Sequence, residues 1–173
     1  MRFLGPRSIS SLLKTALDVV YYGLYGLVFM VILLVVCLLT VPSLAAGVVR
    51  HMNIATQVGA VSQALMWFLF GVTLSGYLLV MHWMRQIFST LAEGDAFHPD
   101  NTARLRWIGF ALGGLEIFGY VLRAFAEKVF HLSFESAYGL RAVTTWFSVL
   151  VVFVLAEVFK EGARLRQEAD LTI

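Results

Sequence analysis

A line of polar side chains interrupts an apolar segment in the second half of the chain. Its members are Glu116, Tyr120, Arg123 and Glu127. Their spacing of four, three and four residues places them on one face of a helix. A carboxyl group in hydrocarbon is costly unless it is paired, protonated or hydrated, so Glu116 is a functional candidate by default. Two interpretations stay open for Glu116, a hydrogen bond to a neighbouring helix or a role in proton-coupled transport, while Arg123 and Glu127 are expected to form an interfacial ion pair.

Other residues suited to catalysis or metal binding are few. No P-loop, dinucleotide-binding, zinc-protease or serine-hydrolase motif occurs in the sequence. The single cysteine, Cys37, permits neither an intrachain disulfide nor a thiolate cluster. Two facing histidines can hold a b-type haem, but histidines in connections or at helix ends without a ligand are favoured for His51, His82, His98 and His131. We therefore predict a protein that is not an enzyme, with no catalytic residue, metal or cofactor.

The composition indicates a membrane protein. Hydrophobic residues make up 60% of the chain, well above the roughly 45–50% that is usual in soluble domains. The net charge is only +2, and the 13 basic residues are scattered between apolar segments. A nucleic-acid-binding surface requires basic residues to be clustered, so direct binding to DNA or RNA is not expected.

Four apolar segments are long enough to cross a bilayer as helices. The predicted spans cover about 17–41, 60–86, 105–127 and 140–161, with a connecting loop at 87–104 and a tail at 162–173. The first span is too long for the apolar region of a signal peptide, which has roughly 7–15 residues. We predict an all-α, polytopic protein in which residues 1–173 form one membrane domain of two helical hairpins.

Positive charge predicts the orientation of the spans, because short loops rich in Lys and Arg stay in the cytoplasm. With both termini and the 87–104 loop inside, nine of the 13 basic residues are cytoplasmic. They are Arg2, Arg7, Lys14, Arg85, Arg104, Arg106, Lys160, Arg164 and Arg166. Trp83 and Trp107 then lie together at the cytoplasmic interface, where aromatic anchors are typical.

Small residues indicate where helices approach each other closely. Candidate pairs are Gly109 with Gly113, Gly71 with Ser75, and Gly23 with Gly26. Contacts within one chain are the favoured interpretation, and a homo-oligomer is the alternative.

The most distinctive sequences are the middle loop and the tail. The loop contains Gly94-Asp95, Phe97, Asn101 and Arg104-Leu105-Arg106, and the tail contains Phe159, Gly162, Leu165, Glu168 and Leu171-Thr172. In these elements the chain resembles a bacterial four-helix membrane family known only as domain of unknown function 2975. The family commonly has Pro where this chain has Ala96, and a second acidic or amide residue where it has Ala169.

The resemblance implies a multi-pass protein of the bacterial inner membrane. Members of the family are often encoded beside a small helix-turn-helix regulator, which implies such a regulator as a cytoplasmic partner. The expected contact residues are Phe97, Asn101, Arg104, Arg106, Arg164, Arg166 and Leu171. Within the tail, Arg164 and Glu168 are spaced to pair along a helix, which leaves Leu165 and Arg166 on other faces to meet the loop.

A binding or regulatory protein, whose loop and tail contact a partner, is the leading interpretation. An alternative is that the loop and tail pack together as an internal cap or bind anionic lipid heads. A second is an accessory subunit of a respiratory or photosynthetic membrane complex. A third is a small transporter that uses Glu116, although coupled carriers usually have several polar elements at mid-membrane.

Overall fold

The computed structural model describes residues 9–41, 60–130 and 140–171. Every regular element in those ranges is an α-helix, as the apolar pattern predicts. The helices are α1 (Ile9–Thr40), α2 (Ala60–Ala92), α3 (Pro99–Phe130) and α4 (Leu140–Asp170). The predicted outer connections, with Arg50, His51 and His131, lie outside the described residues.

Each helix is long and apolar enough to span a membrane. The candidate spans are Leu13–Thr40, Val61–Ala92, Pro99–Lys128 and Ala142–Ala169, with mean hydropathies of 2.7, 1.9, 1.4 and 2.1. Helices of 31 to 33 residues measure about 46–50 Å, whereas the hydrocarbon layer is about 30 Å thick. The chain is a multi-pass membrane protein whose helices extend well beyond the hydrocarbon.

Neighbouring helices run antiparallel and pack in chain order, α1 on α2, α2 on α3 and α3 on α4. The main core joins the last three helices near the loop between α2 and α3. Its buried members are Val80, Ile87, Leu105, Ile108 and Ala156. A smaller cluster joins α1 to α2 at the opposite end through Leu38 and Ala64. The loop of residues 93–98 thus connects two hairpins, α1–α2 and α3–α4, as predicted.

Glycines create the closest helix contacts. A Cβ added at Gly109 would lie 2.9 Å from Phe153, and one at Gly76 would lie 2.5 Å from Leu115. The small pair on α3 therefore packs as predicted, whereas the sequence analysis missed Gly76. The favoured contact within the chain is not formed at Gly23 and Gly26, since an added Cβ there would meet nothing within 4 Å among the described residues.

Two tryptophans provide a reference level for the bilayer. Trp83 on α2 and Trp107 on α3 stack with ring centroids 6.2 Å apart, so the predicted pairing of these residues is confirmed. Indole rings favour the membrane–water interface, and we take this pair as the interface level on the side of the 93–98 loop.

The glycine contacts predict a difference between two leucine substitutions. Gly109→Leu would force Phe153 out of its position, and overpacking of this kind costs about 1–3 kcal/mol. Gly23→Leu is the matched control, because its added side chain enters open space. Reversible unfolding in mixed micelles of increasing dodecyl sulfate content measures both. Equal stability of the two variants would contradict the packing of α3 on α4.

Candidate partner-binding surface

The loop between α2 and α3 begins with a defined helix cap. Gly94 has φ of +88°, a conformation that glycine adopts without steric cost. Its N–H donates to Leu91 O at 3.1 Å, and Asp95 N–H donates to Thr90 O at 2.9 Å. These two bonds form a Schellman motif, which satisfies carbonyl groups at the end of α2. Gly94 is thus the C-cap glycine of α2.

Asn101 fixes the rest of the loop. Its side-chain amide donates to Thr90 Oγ1 at 2.7 Å and to Ala96 O at 3.2 Å. Its Oδ1 accepts from Arg104 Nη1 at 2.9 Å, and its backbone N–H donates to His98 O at 2.9 Å. The residue is completely buried. A buried side chain does not touch a partner, so we revise its predicted role from contact residue to positioning residue.

Phe97 attaches the loop to α4. Its ring lies directly against Gly162, where any added Cβ would collide with it. The ring also packs against Phe159, with centroids 5.7 Å apart. Phe97 nevertheless stays 40% exposed. Only glycine at position 162 allows the ring to reach the helix, which explains two of the residues that carry the resemblance.

An ion pair reinforces this attachment. Arg166 Nη1 on α4 donates to Asp95 Oδ1 in the loop. The predicted proximity of the loop to the C-terminal helix, with Arg166 turned toward the loop, is confirmed by this contact. Asp95 did not appear among the predicted contact residues, although its carboxyl and Arg166 are of opposite charge.

The other predicted arginines also have partners within the chain. Arg104 lies 3.8 Å from Asp100 in addition to its bond to Asn101. Arg106 on α3 donates to Glu157 on α4 at 2.5 Å. Arg164 pairs with Glu161 at 2.6 Å and with Glu168 at 3.5 Å, which confirms the predicted pairing along the tail helix.

These pairings fit one alternative from the sequence, in which loop and tail pack together as an internal cap. The sides of the loop and of the C-terminal part of α4 that face away from each other remain exposed. Leu171, at the end of α4, is 86% exposed, and residues 172 and 173 lie outside the described residues.

A polar cluster that the sequence analysis missed joins α1 to α2. Arg85 Nε donates to Asp18 Oδ1, and the guanidinium lies 4.4 Å from the ring centre of Tyr21. Lys14 Nζ donates to Ser89 Oγ at 3.4 Å. The available signal was the position of Asp18 and Arg85, which lie at the same end of the two apolar runs in one antiparallel hairpin. Opposite charges at matched ends are brought together by such a hairpin.

The intramembrane residues are arranged differently from the prediction. Arg123 pairs with Glu116 at 3.8 Å rather than with Glu127. Its guanidinium folds back over Gly119, 3.6 Å from an added Cβ, and lies 4.9 Å from the ring centre of Tyr120. The missing side chain at Gly119 makes this path available. Within the described chain, Arg123 Nε and Nη2 are buried without a hydrogen-bond partner.

The remaining polar side chains of interest make local contacts. His82 Nε2 lies 2.9 Å from the side-chain nitrogen of Gln86, and His98 Nδ1 lies 3.7 Å from Asp100. Among the described residues, no group of three or more His, Cys, Asp or Glu side chains is placed to hold a metal ion.

Comparison with known proteins identifies a family. A family model described as a protein of unknown function (DUF2975) matches residues 14–173. The chain belongs to this family. No curated protein and no solved structure matches the chain. The matched range includes the loop and the tail, and the structure explains several of the elements that carry the resemblance through the contacts between the 93–98 loop and α4.

The hydrogen bonds of Asn101 predict a local effect on the loop. Asn101→Leu removes the donor to Thr90 Oγ1 and Ala96 O and the acceptor for Arg104 Nη1, so three hydrogen bonds around the partly buried loop are lost, which costs about 1–3 kcal/mol. Amide hydrogen exchange at Gly94 to Ala96 should accelerate in that variant. Asp100→Leu is the control, because it introduces the same side chain at the neighbouring position, where the Asp100 side chain is exposed to solvent. Unchanged exchange in Asn101→Leu would show that the loop does not depend on this residue.

The Glu116–Arg123 pair predicts an unequal double-mutant cycle. Glu116→Leu leaves the guanidinium of Arg123 without its opposing charge, and within the described chain two of its nitrogens are already buried without a hydrogen-bond partner. This variant should therefore destabilise the protein more than Arg123→Leu, which removes the buried guanidinium itself. The double variant should be more stable than Glu116→Leu alone. Unfolding in dodecyl sulfate measures all four proteins, and strictly additive losses would contradict the pairing.

Proposed function

We propose that this protein is a non-enzymatic binding or regulatory protein of the bacterial inner membrane, which captures a cytoplasmic partner on its loop and tail. The observation that carries the proposal is the attachment of the 93–98 loop to α4 through Asp95 and Arg166 and through Phe97 and Gly162. A surface that is already ordered loses little conformational entropy on binding. The exposed sides of Phe97 and Leu171 are available for contact.

The cytoplasmic position of this surface is part of the proposal. It is supported by the nine of 13 basic residues that lie on that side when both termini face inward. The Trp83–Trp107 stack at the same end of the bundle agrees with an interface there.

A small helix-turn-helix regulator is the proposed partner. The support is the resemblance of the loop and tail to a family whose members are often encoded beside such regulators. Arg106 forms an ion pair with Glu157, and Arg164 forms ion pairs with Glu161 and Glu168. The guanidinium groups of this surface are therefore oriented before a partner binds. Fixed charges of both signs favour a protein partner over a uniformly acidic nucleic acid.

An accessory subunit of a larger membrane complex is the second candidate. Its support is the outer face of α1, where a Cβ added at Gly23 or Gly26 would meet nothing within 4 Å among the described residues and where Tyr22 and Tyr25 are exposed. Close helix contact through small residues is typical of subunit interfaces in membranes. A small transporter that uses Glu116 has less support, because Arg123 already neutralises that carboxyl group.

Labelling of single cysteines tests the orientation. In a Cys37→Ser background, cysteines at Ser8, Asp95 and Thr172 should be protected from a membrane-impermeant maleimide in intact cells and should react after permeabilisation. Reaction of all three cysteines in intact cells would show that the orientation is the opposite one and that the loop and tail face the outside of the cell.

Truncation of the tail tests partner capture. Deletion of Ala169 to Ile173 should leave membrane insertion intact, since insertion depends on the apolar spans, but should reduce copurification of a soluble partner in mild detergent. Gly23→Leu is the comparison variant, because it alters the outer face of α1 alone. Loss of copurifying membrane subunits from Gly23→Leu, with no effect of the truncation, would favour the accessory-subunit function instead.

A further inference from the structure

Leu165 is an apolar residue that lipid does not cover. Glu157 on α4 bonds Arg106, the neighbour of Trp107, so it lies near the interface level. Leu165 is two helical turns farther along α4, which places it about 12 Å above that level. The headgroup layer adds only roughly 5–8 Å on each side of the hydrocarbon. Leu165 is 54% exposed, and this exposed surface therefore faces water.

Phe97 extends the apolar area beside Leu165. Its ring rests on Gly162, which precedes Leu165 by three residues on the same side of α4. Side chains on a helix lean toward its N-terminus, so Leu165 leans toward Gly162 and the ring. Phe97, Gly162 and Leu165 together form what we call the apical patch. The Asp95–Arg166 ion pair holds the loop side of this patch in place.

Acidic side chains flank the apical patch along α4. Glu161 and Glu168 lie about one turn before and after Leu165. Both pair with Arg164, yet they remain 53% and 61% exposed. Glu161, Arg164 and Glu168 contribute two carboxylates and one guanidinium, so the formal charge of this stripe of the helix is negative. An apolar residue between two acidic residues is the pattern that a basic amphipathic helix complements.

A second copy of the chain does not fit this stripe. Two copies of the chain in one membrane insert in the same direction. A symmetric dimer of such copies therefore has its two-fold axis along the membrane normal. Through this stripe, such a contact would place Glu161 opposite Glu161 and Glu168 opposite Glu168. Opposed like charges are unfavourable at an interface. The occupant must therefore differ from this chain and must carry basic groups.

We propose that the apical patch is the docking site for a basic amphipathic helix of a soluble partner. An apolar side chain of that helix covers Leu165 and the exposed edge of Phe97. Lys or Arg residues about two turns apart on the same helix meet Glu161 and Glu168. This assignment rests on the proposed partner-binding function and specifies its chemistry.

Photo-crosslinking from the patch tests the assignment. A photoreactive phenylalanine analogue replaces Leu165 in the full-length chain, the cells that produce the chain are irradiated, and the crosslinked peptides are sequenced by mass spectrometry. The expected adduct lies in a helical segment of another protein with an apolar residue between Lys or Arg residues. An adduct with an acidic or neutral segment, with a second copy or with lipid alone would overturn the assignment, as would the absence of any adduct.

Charge reversal supplies the second measurement. Glu161→Lys and Glu168→Lys should each lower the crosslink yield about fivefold, because each replaces an attraction with a repulsion. Gln167→Lys introduces the same charge on another face of α4 and should leave the yield unchanged. An equal response of all three variants would overturn the docking geometry.

Copurification separates this assignment from the function on which it rests. A partner that copurifies and crosslinks only from other positions of the loop and tail refutes the apical patch but leaves the partner-binding function standing. The absence of any soluble partner refutes both.

Discussion

The hydrogen bonds of Asn101 connect the parts of this molecule that face water at one end of the bundle. One amide side chain joins the end of α2, the 93–98 loop and the start of α3 through Thr90, Ala96 and Arg104. An amide that is completely buried must have its donors and acceptor satisfied, or it destabilises the fold by more than a hydrogen bond contributes. With the loop held in this way, Phe97 reaches Gly162 and Asp95 reaches Arg166, so the connection between two hairpins becomes an ordered surface.

Helix length explains why this surface stands clear of lipid. Helices of about 46–50 Å exceed the roughly 30 Å hydrocarbon layer by several turns. The charged residues of α4 beyond Glu157 occupy this excess, together with the loop. Below them, apolar faces contact lipid, and the Glu116–Arg123 pair lies deeper in α3. The same chain thus carries a partly buried ion pair within α3 and exposed ion pairs near the end of α4, and exposed pairs contribute little to stability.

Local pattern was sufficient for several predictions. The apolar runs predicted the four helices, and the alternating direction of the four spans predicted that the loop and the tail lie at the same end of the bundle. The burial of Asn101 was not predictable, because an Asn close to the start of a helix is more typical of a side chain that caps the exposed N–H groups there. The Arg123–Glu116 pair was missed because it spans two turns and depends on the missing side chain of Gly119. The Asp18–Arg85 contact required knowledge of how α1 and α2 align, which spacing within one helix does not provide.

Crosslinking across the loop–helix contact tests the ordered surface most directly. With Cys37→Ser as background, cysteines replace Asp95 and Arg166, and a short bifunctional thiol reagent is applied to native membranes. The hydrogen bonds of Asn101 and the packing of Phe97 on Gly162 should hold the loop in place without the ion pair, so this pair should crosslink much faster than a control pair at Asp95 and Gln167. Equal rates for the two pairs would show that the loop is not held against α4 and would contradict the account.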